Sequence, residues 1–269
     1  MTGSDLLIEE LGPILRVTLN RPEKLNALNR GIMEGLHEAV GRYAARDDLR
    51  VFLITARGRY FCAGAELGSG GMPGPLNDGS SAMRQWYRSG VMGYGMHPLY
   101  DEMEALEKPF VVAHQAPCVG GGLELSLSCD FRLAARSAAY SLPEAKLGSI
   151  PASGGVSRLT RLVGPQWAKW MILAEEKIDA ERALSIGLVQ NVYPDETFED
   201  EVMAFCTKLA AQPPEMIAMA KLTIDLCADL TPGRARTIER LGQSVLGTGA
   251  EARGLMETWR ARFKKKVIG

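Results

Sequence analysis

The stretch that most restricts this chain is Val119-Gly120-Gly121-Gly122-Leu123-Glu124-Leu125, preceded by Phe110-Val111-Val112-Ala113 and followed by Ser126 to Asp130. The β-branched apolar run reads as a buried strand, and the segment after the glycines reads as a short helix. Three glycines between them let the backbone turn sharply and let another group come close. At a helix start the free N–H groups and the positive end of the helix dipole face whatever sits there. Glu124, two residues past the last glycine, falls in that first turn. Two readings fit. One is an active-site wall, with an oxyanion-binding N–H at Gly121 and an acid/base at Glu124. The other is a plain strand-to-helix turn whose solvated glutamate caps the dipole.

The rest of the chain alternates strands and helices around this turn. Ile14–Leu19 reads as a strand ending at Asn20-Arg21-Pro22, and a helix then carries Ile32, Leu36, Val40 and Tyr43 on one face. Val51–Thr55 is a second strand. Gly68–Gly79, rich in Gly, Pro, Asn and Asp, is a loop by composition. Beyond it, Trp86, Tyr87, Met92, Tyr94 and Met96 could wall an apolar pocket or simply join the core. Strands are expected at Phe110–His114, Asp130–Ala135 and Ala139–Leu142. Helices follow at Val156–Val163 and Gln166–Ala174, separated by Gly164-Pro165. Asp179 is an N-cap candidate for a short helix ended by Gly187. After Val189–Tyr193 the strands stop, Asp195 is the expected N-cap of a helix bearing Phe198, Val202, Phe205 and Leu209, and three more helices complete the chain. This pattern is α/β. It divides into a core over 1–194 and a helical region over 195–269 with no freeing linker. Apolar residues of the last helices, Leu222, Ile224, Leu226, Leu241, Val245 and Trp259 among them, need the core or another subunit as partner.

Composition excludes several functions. Lys and Arg total 31 against 32 Asp and Glu, a net charge of −1, which removes a chain-wide electrostatic case for nucleic acid or an anionic membrane. Five cysteines form no CxxC and suit a reducing compartment as small buried apolar residues. No secretory leader or membrane span is expected, so the expected location is the cytoplasm. GxGxxG, GxxxxGK[ST] and GxSxG are all missing, which demotes dinucleotide, P-loop and nucleophile-elbow chemistry. The three histidines share no metal-like spacing with carboxylates, and no metal is expected.

Several stretches, in order along nearly the whole chain, resemble the crotonase superfamily of enoyl-CoA hydratases and isomerases. They are Asn20–Asn29, Phe61-Cys62-Ala63-Gly64-Ala65-Glu66-Leu67, Val119–Glu124, Leu142–Gly148 and Pro151–Gly155. The resemblance implies a spiral of ββα units with a C-terminal helical trimerisation region, assembled as a homotrimer or a dimer of trimers. It implies an acyl-CoA substrate and no cofactor, coenzyme A being part of the substrate. It also implies an oxyanion hole from the backbone N–H groups of Ala65 and Gly121, and substrate contacts at Lys24, Leu25, Ala27, Ala63, Ala65, Glu66, Leu67, Gly120 and Gly121. Hydratases of the family carry glutamate at both the Glu124 and Glu144 positions. By that resemblance Glu124 is the general base that activates water and Glu144 the general acid, and the expected reaction is reversible hydration of a 2-trans-enoyl-CoA. Isomerisation of a 3-enoyl-CoA, with Glu144 as proton carrier, is the alternative. Hydrolase and decarboxylase relatives share the oxyanion hole, and an inactive scaffold is the remaining reading. The chain departs from the usual pattern at Glu66, Gly68, His114, Gln115-Ala116 and Thr258-Trp259, which points to an unusual acyl group, aromatic or branched.

Overall fold

The computed structural model describes residues 5–66 and 95–268, with side chains through Ala261. Leu67, the Gly68–Gly79 loop and Trp86, Tyr87, Met92 and Tyr94 lie outside the described residues.

The strands are β1 (Leu6–Leu11), β2 (Ile14–Leu19), β3 (Val51–Ala56), β4 (Phe110–His114), β5 (Cys118–Val119), β6 (Phe131–Ala135), β7 (Ala139–Ser141), β8 (Ile178–Asp179) and β9 (Asn191–Tyr193). The helices are α1 (Arg30–Ala44), α2 (Met96–Ala105), α3 (Gly121–Leu127), α4 (Gly155–Ile172), α5 (Ala180–Ser185), α6 (Phe198–Ala210), α7 (Pro214–Ala228), α8 (Pro232–Thr248) and α9 (Ala250–Ile268). Six strands form one sheet in the order β1-β2-β3-β4-β6-β9, parallel throughout except for the β1–β2 hairpin. A smaller sheet, β5-β7-β8, carries the chain past the triple glycine.

Parallel strands buried on both faces read as continuous apolar runs, which is why β3 and β4 were visible in the sequence. Strand β1 was not expected. It is an edge strand bearing Glu9 and Glu10, paired Leu6 to Leu19 through Leu11 to Ile14, and Gly12 at φ +61 turns the hairpin. On one face of the sheet, Ile32, Leu36, Val40 and Tyr43 of α1 are buried, and the rings of Tyr43, Phe52 and Phe110 pack at 5.0–5.4 Å. On the other face, Leu53, Val111, Ala113 and Leu133 pack with Phe198 and Val202 of α6.

Local signals set the helix ends. Asn29 Oδ1 accepts from Ile32 N at 2.8 Å and Asp179 Oδ1 from Arg182 N at 2.8 Å, both N-caps. Gly164, at φ +77, breaks the helical path of α4 ahead of Pro165, as the sequence indicated. Asp195 is a correction. Its carboxylate accepts from Ser137 N at 3.0 Å in the β6–β7 turn, and α6 begins later, at Phe198.

Contacts divide the chain into two compact units. The first holds the residues up to Leu106 and Phe110–Ala210, so α6 belongs with the sheet. The second holds Glu107–Pro109 and the helices α7 to α9. Within the second unit, Glu251 accepts from Glu215 N and Met216 N at the start of α7. A Cβ on Gly242 of α8 would lie 3.1 Å from Met219 Sδ of α7. Ile224, Leu226, Leu241, Val245 and Trp259 are exposed in the described chain.

Candidate active site

Two loops make the first half of the site. A single 3-10 turn, Pro22–Lys24, leads into Leu25 and Asn26, both in the left-handed region at φ +53 and +54. For non-glycine residues that conformation has to be held by its surroundings. The buried Asn26 side chain does so, accepting from Arg21 N and donating to Arg57 O and Tyr60 O at 2.8–2.9 Å. The segment then runs beside the loop after β3. Ala63 N donates to Leu25 O, Leu28 N to Gly64 O and Glu66 N to Leu28 O, at 2.8–3.0 Å. Lys24, Leu25, Ala27, Ala63, Ala65 and Glu66 are therefore brought together, whereas Leu67 is outside the described residues. The Glu66 carboxylate is engaged by Arg21 Nη2 at 3.1 Å.

The triple glycine presses against this loop. Val119 N donates to Cys62 O at 2.9 Å, and Gly120 stands at φ +54 with its N–H on Ser141 O at 3.0 Å. A Cβ at Gly64 would lie 3.4 Å from Gly121 N, and one at Gly121 would lie 3.4 Å from Ala65 N. The two backbones meet with no side chain between them. Gly121 is the first residue of α3, so its N–H is one of the helix's orphan donors. Among the described residues neither Ala65 N–H nor Gly121 N–H has an acceptor.

Both glutamates lie at this seam. Glu124 is only 4% exposed, which sets aside the solvated cap. Its Oε1 accepts from Ser153 N at 2.7 Å. Burial pushes its pKa up to about 7 and the neighbouring Glu144 adds to the rise, against the opposing Ser153 and Gly155 N–H groups and Arg158. Glu144 opens the 3-10 turn Glu144–Leu147. A Cβ on Gly120 would lie 3.0 Å from Glu144 Oε1, so the carboxylate rests on the glycine backbone. Its Oε2 is buried with no hydrogen-bond partner among the described residues. Burial raises its pKa as well. Both carboxyls therefore resist ionisation, Glu124 with help from Glu144 and Glu144 with help from Glu175.

Sequence reasoning left the supports of α3 unassigned. His114 is fully buried, with Nε2 2.9 Å from Ser126 Oγ and Nδ1 3.1 Å from Tyr140 Oη. Burial, helped by Arg132, drives its pKa down to about 3, so the imidazole is neutral and ties β4, α3 and β7 together. The two hydroxyls explain how a histidine stands where an apolar residue is usual. Arg132 is buried too and donates to Cys129 O and Ser126 O at the C-terminal end of α3. Gln115 Nε2 reaches Gly58 O and Tyr60 O. Beside the loop, burial pushes the Cys62 thiol up to about 12, which makes it a packing residue. A cue for His114 existed in the sequence, a polar residue ending an apolar strand. No cue marked the Ser153 backbone.

The arrangement offers unpaired backbone donors for a growing negative charge beside two carboxyls able to exchange protons. Among the described residues no group of three or more His, Cys, Asp or Glu side chains gathers as a metal site. None of the described helices is long and apolar enough to cross a membrane.

The chain is similar to known proteins over most of its length. The family model described as "Enoyl-CoA hydratase/isomerase" matches residues 9–257. A "Probable enoyl-CoA hydratase, mitochondrial" from Dictyostelium discoideum is 31% identical over 251 residues, covering 92% of this chain and 85% of that protein. The 1,2-epoxyphenylacetyl-CoA isomerase of Escherichia coli strain K12 is 30% identical over 258 residues, 95% of each. A crystal structure of enoyl-CoA hydratase subunit I from Geobacillus kaustophilus HTA426 superposes with a TM-score of 0.85 at 27% identity, covering 96% of this chain and 95% of that one. With the fold, the two loops and a match over most of its length in agreement, this chain belongs to the enoyl-CoA hydratase/isomerase family of the crotonase superfamily.

Proposed function

We propose that the protein is an enoyl-CoA hydratase that adds water reversibly, in syn fashion, to a 2-trans-enoyl-CoA. The observation that carries this reading is the two carboxyls that resist ionisation, buried Glu124 and half-buried Glu144, next to the free N–H groups of Ala65 and Gly121. Glu124 takes a proton from water as its oxygen bonds to C3. The C2–C3 π electrons move into the thioester, and the charge gathers on its oxygen. The N–H groups of Ala65 and Gly121 receive that charge, each contributing about 3–4 kcal/mol of barrier reduction. Glu144 then delivers its proton to C2, and an acid/base step of this kind contributes ~10²–10⁴-fold. No cofactor is invoked, because coenzyme A arrives as part of the substrate. Lys24, Leu25, Ala27, Ala63, Glu66, Leu67 and Gly120 are the proposed substrate contacts. Apolar residues exposed on α7, α8 and α9 support assembly as a homotrimer or dimer of trimers, for which light scattering should give a multiple of three chains. Its free cysteines suit the reducing cytoplasm.

Hydration needs one carboxyl ionised and one protonated, so the singly protonated pair is the active form. Activity should rise as the first of the two carboxyls ionises, above the usual carboxylate range, and fall as the second does near pH 7; within the singly protonated form the reaction draws on the arrangement with Glu124 ionised and the proton on Glu144. Initial rates of hydration across pH 4–9 check this bell.

A second reading is isomerisation of a 3-enoyl-CoA by Glu144 alone, favoured by its unpartnered Oε2. A single carboxylate base needs no protonated neighbour, so its profile would not fall near pH 7. Assaying 2-trans- and 3-enoyl-CoA panels with straight, branched and aromatic acyl groups separates the two. Isomerisation with no hydration of any 2-enoyl-CoA would exclude the hydratase.

A further inference from the structure

Arg158 lies in a line of contacts that starts on the protein surface and ends at Glu124. On its outer side Nη2 donates to Asp101 Oδ1 and Glu104 Oε2, both at 2.7 Å, and Nε donates to the same Glu104 oxygen at 3.0 Å. Both acids belong to α2 and are substantially exposed, whereas the Arg158 side chain is 9% exposed. On its inner side Nη1 donates to Ser153 O at 3.4 Å. Ser153 is also the residue whose N–H holds Glu124 Oε1 at 2.7 Å.

Between these contacts stands Gly154, at φ +84. A Cβ there would lie 1.9 Å from Arg158 Nη1, so the turn leaves room for the guanidinium only because it carries glycine. The next residue repeats the pattern toward the site: a Cβ on Gly155 would lie 2.9 Å from Glu124 Oε1. Taking a guanidinium out of water is costly, and an apolar side chain of similar volume would fill the space more cheaply. Arginine's planar fork is what allows two carboxylates and a carbonyl to be held at once.

We infer that Arg158 is a positioning residue for Glu124: it clamps the Ser153–Gly155 turn to α2 and keeps the turn's N–H groups aimed at the Glu124 carboxylate. The inference rests on the reading of Glu124 as an acid/base of the reaction. Several groups act on Glu124. Glu144 comes from the 3-10 turn, Tyr100 from α2 with its hydroxyl donating to Gly121 O at 3.3 Å, and the Ser153 and Gly155 N–H groups and Arg158 from the turn and α4. Around Arg158 stand Asp101, Glu104 and His97, whose Nε2 is buried without a partner among the described residues. Arg158 is the cation in this set that favours ionised Glu124. Removing its charge strengthens Glu124's hold on its proton, so the alkaline limb of the activity profile moves to higher pH.

The test uses the full chain and a 2-trans-enoyl-CoA that the wild type hydrates, with melting curves for every variant. Arg158→Gln is expected to lower kcat ~10–100-fold, the scale of a misplaced acid/base group, with KM within about threefold of wild type. Its alkaline limb should move up by about half a pH unit or more. Arg158→Lys keeps the charge and should hold that limb near the wild-type position, yet lose kcat because an ammonium cannot span all three acceptors. The double variant Asp101→Asn/Glu104→Gln, altered at the surface ends of the clamp, should lower kcat about three- to tenfold with KM unchanged. The clamp is overturned if folded Arg158→Gln keeps its alkaline limb and its kcat within twofold, or loses only KM. Should Arg158→Gln not fold, kcat within twofold of wild type in both other variants overturns it equally. A wild-type rate for Glu124→Gln would sink the acid/base reading itself, whatever the arginine variants do.

Discussion

On the proposed hydratase reading, Glu124→Gln should abolish hydration and, above pH 7, it should make the protein more stable. The loss of activity follows from the absent proton acceptor and is expected at ~10³-fold or more in kcat. The gain in stability follows from burial. Glu124's pKa is raised from the usual 4.5 to about 7, so the folded protein keeps a proton that the unfolded chain has given up. The sign is that of a raised folded-state pKa: the contribution is fully present below pH 4.5 and is lost as pH rises through 7, a loss of about 3 kcal/mol by pH 8. Glutamine is neutral throughout and its Oε1 can still accept from Ser153 N. Thermal melts should show the variant roughly 5 °C above wild type at pH 8 and level with it near pH 4.5. A variant that melts below wild type at every pH would mean that the buried carboxyl is not a destabilising charge.

Gly122→Ala should be a severely damaging single-methyl change. The added Cβ would stand 2.5 Å from Cys62 Cβ and 2.7 Å from its sulfur, with Cys62 O at 3.2 Å, so α3 cannot keep its distance from the Ala65 loop. Overpacking of this kind costs about 2–3 kcal/mol. Because Gly121 N–H and Glu124 ride on the same helix, displacement of even a fraction of an ångström should also lower kcat by up to ~10²-fold. Gly41→Ala supplies the contrast. Gly41 is exposed within α1, and a Cβ there meets nothing within 4 Å. It should gain about 0.5–1 kcal/mol from helix propensity, with activity unchanged. Equal melting temperatures and rates for the two variants would rule out the close approach at Cys62.

What the sequence disclosed depended on where the information lay. Strands such as Val51–Thr55 and Phe110–His114 announced themselves because parallel strands buried on both faces need uninterrupted apolar side chains. Leu6–Leu11 did not, because a hairpin edge tolerates Glu9 and Glu10 facing water. Asp195 had the residue type of a cap, but the β6–β7 turn, 58 residues earlier in the chain, took its carboxylate. Glu124 was ambiguous on local pattern alone and acquired a chemical meaning only through motifs elsewhere in the chain. Its burial, which separates the two readings, is a tertiary fact. Arg158 sits three residues from Arg161 and reads as one more solvated helix charge. Ser153 acts through its backbone N–H, which any residue but proline possesses.

The seam between the Ala65 and Gly121 loops also bears on how the molecule comes into being. Its donors and carboxyls are carried by segments from Leu25 to Gly155, joined through parallel strands that pair only after long crossovers close. Contacts of such wide sequence separation form late, because loop-closure entropy has to be met before they stabilise anything. Local helices such as α1 are therefore expected to form before the cleft, an order that φ-values for α1 and for the Ala65–Gly121 seam would check. On that order, reactivity in a refolding experiment should return only with the last phase of structure.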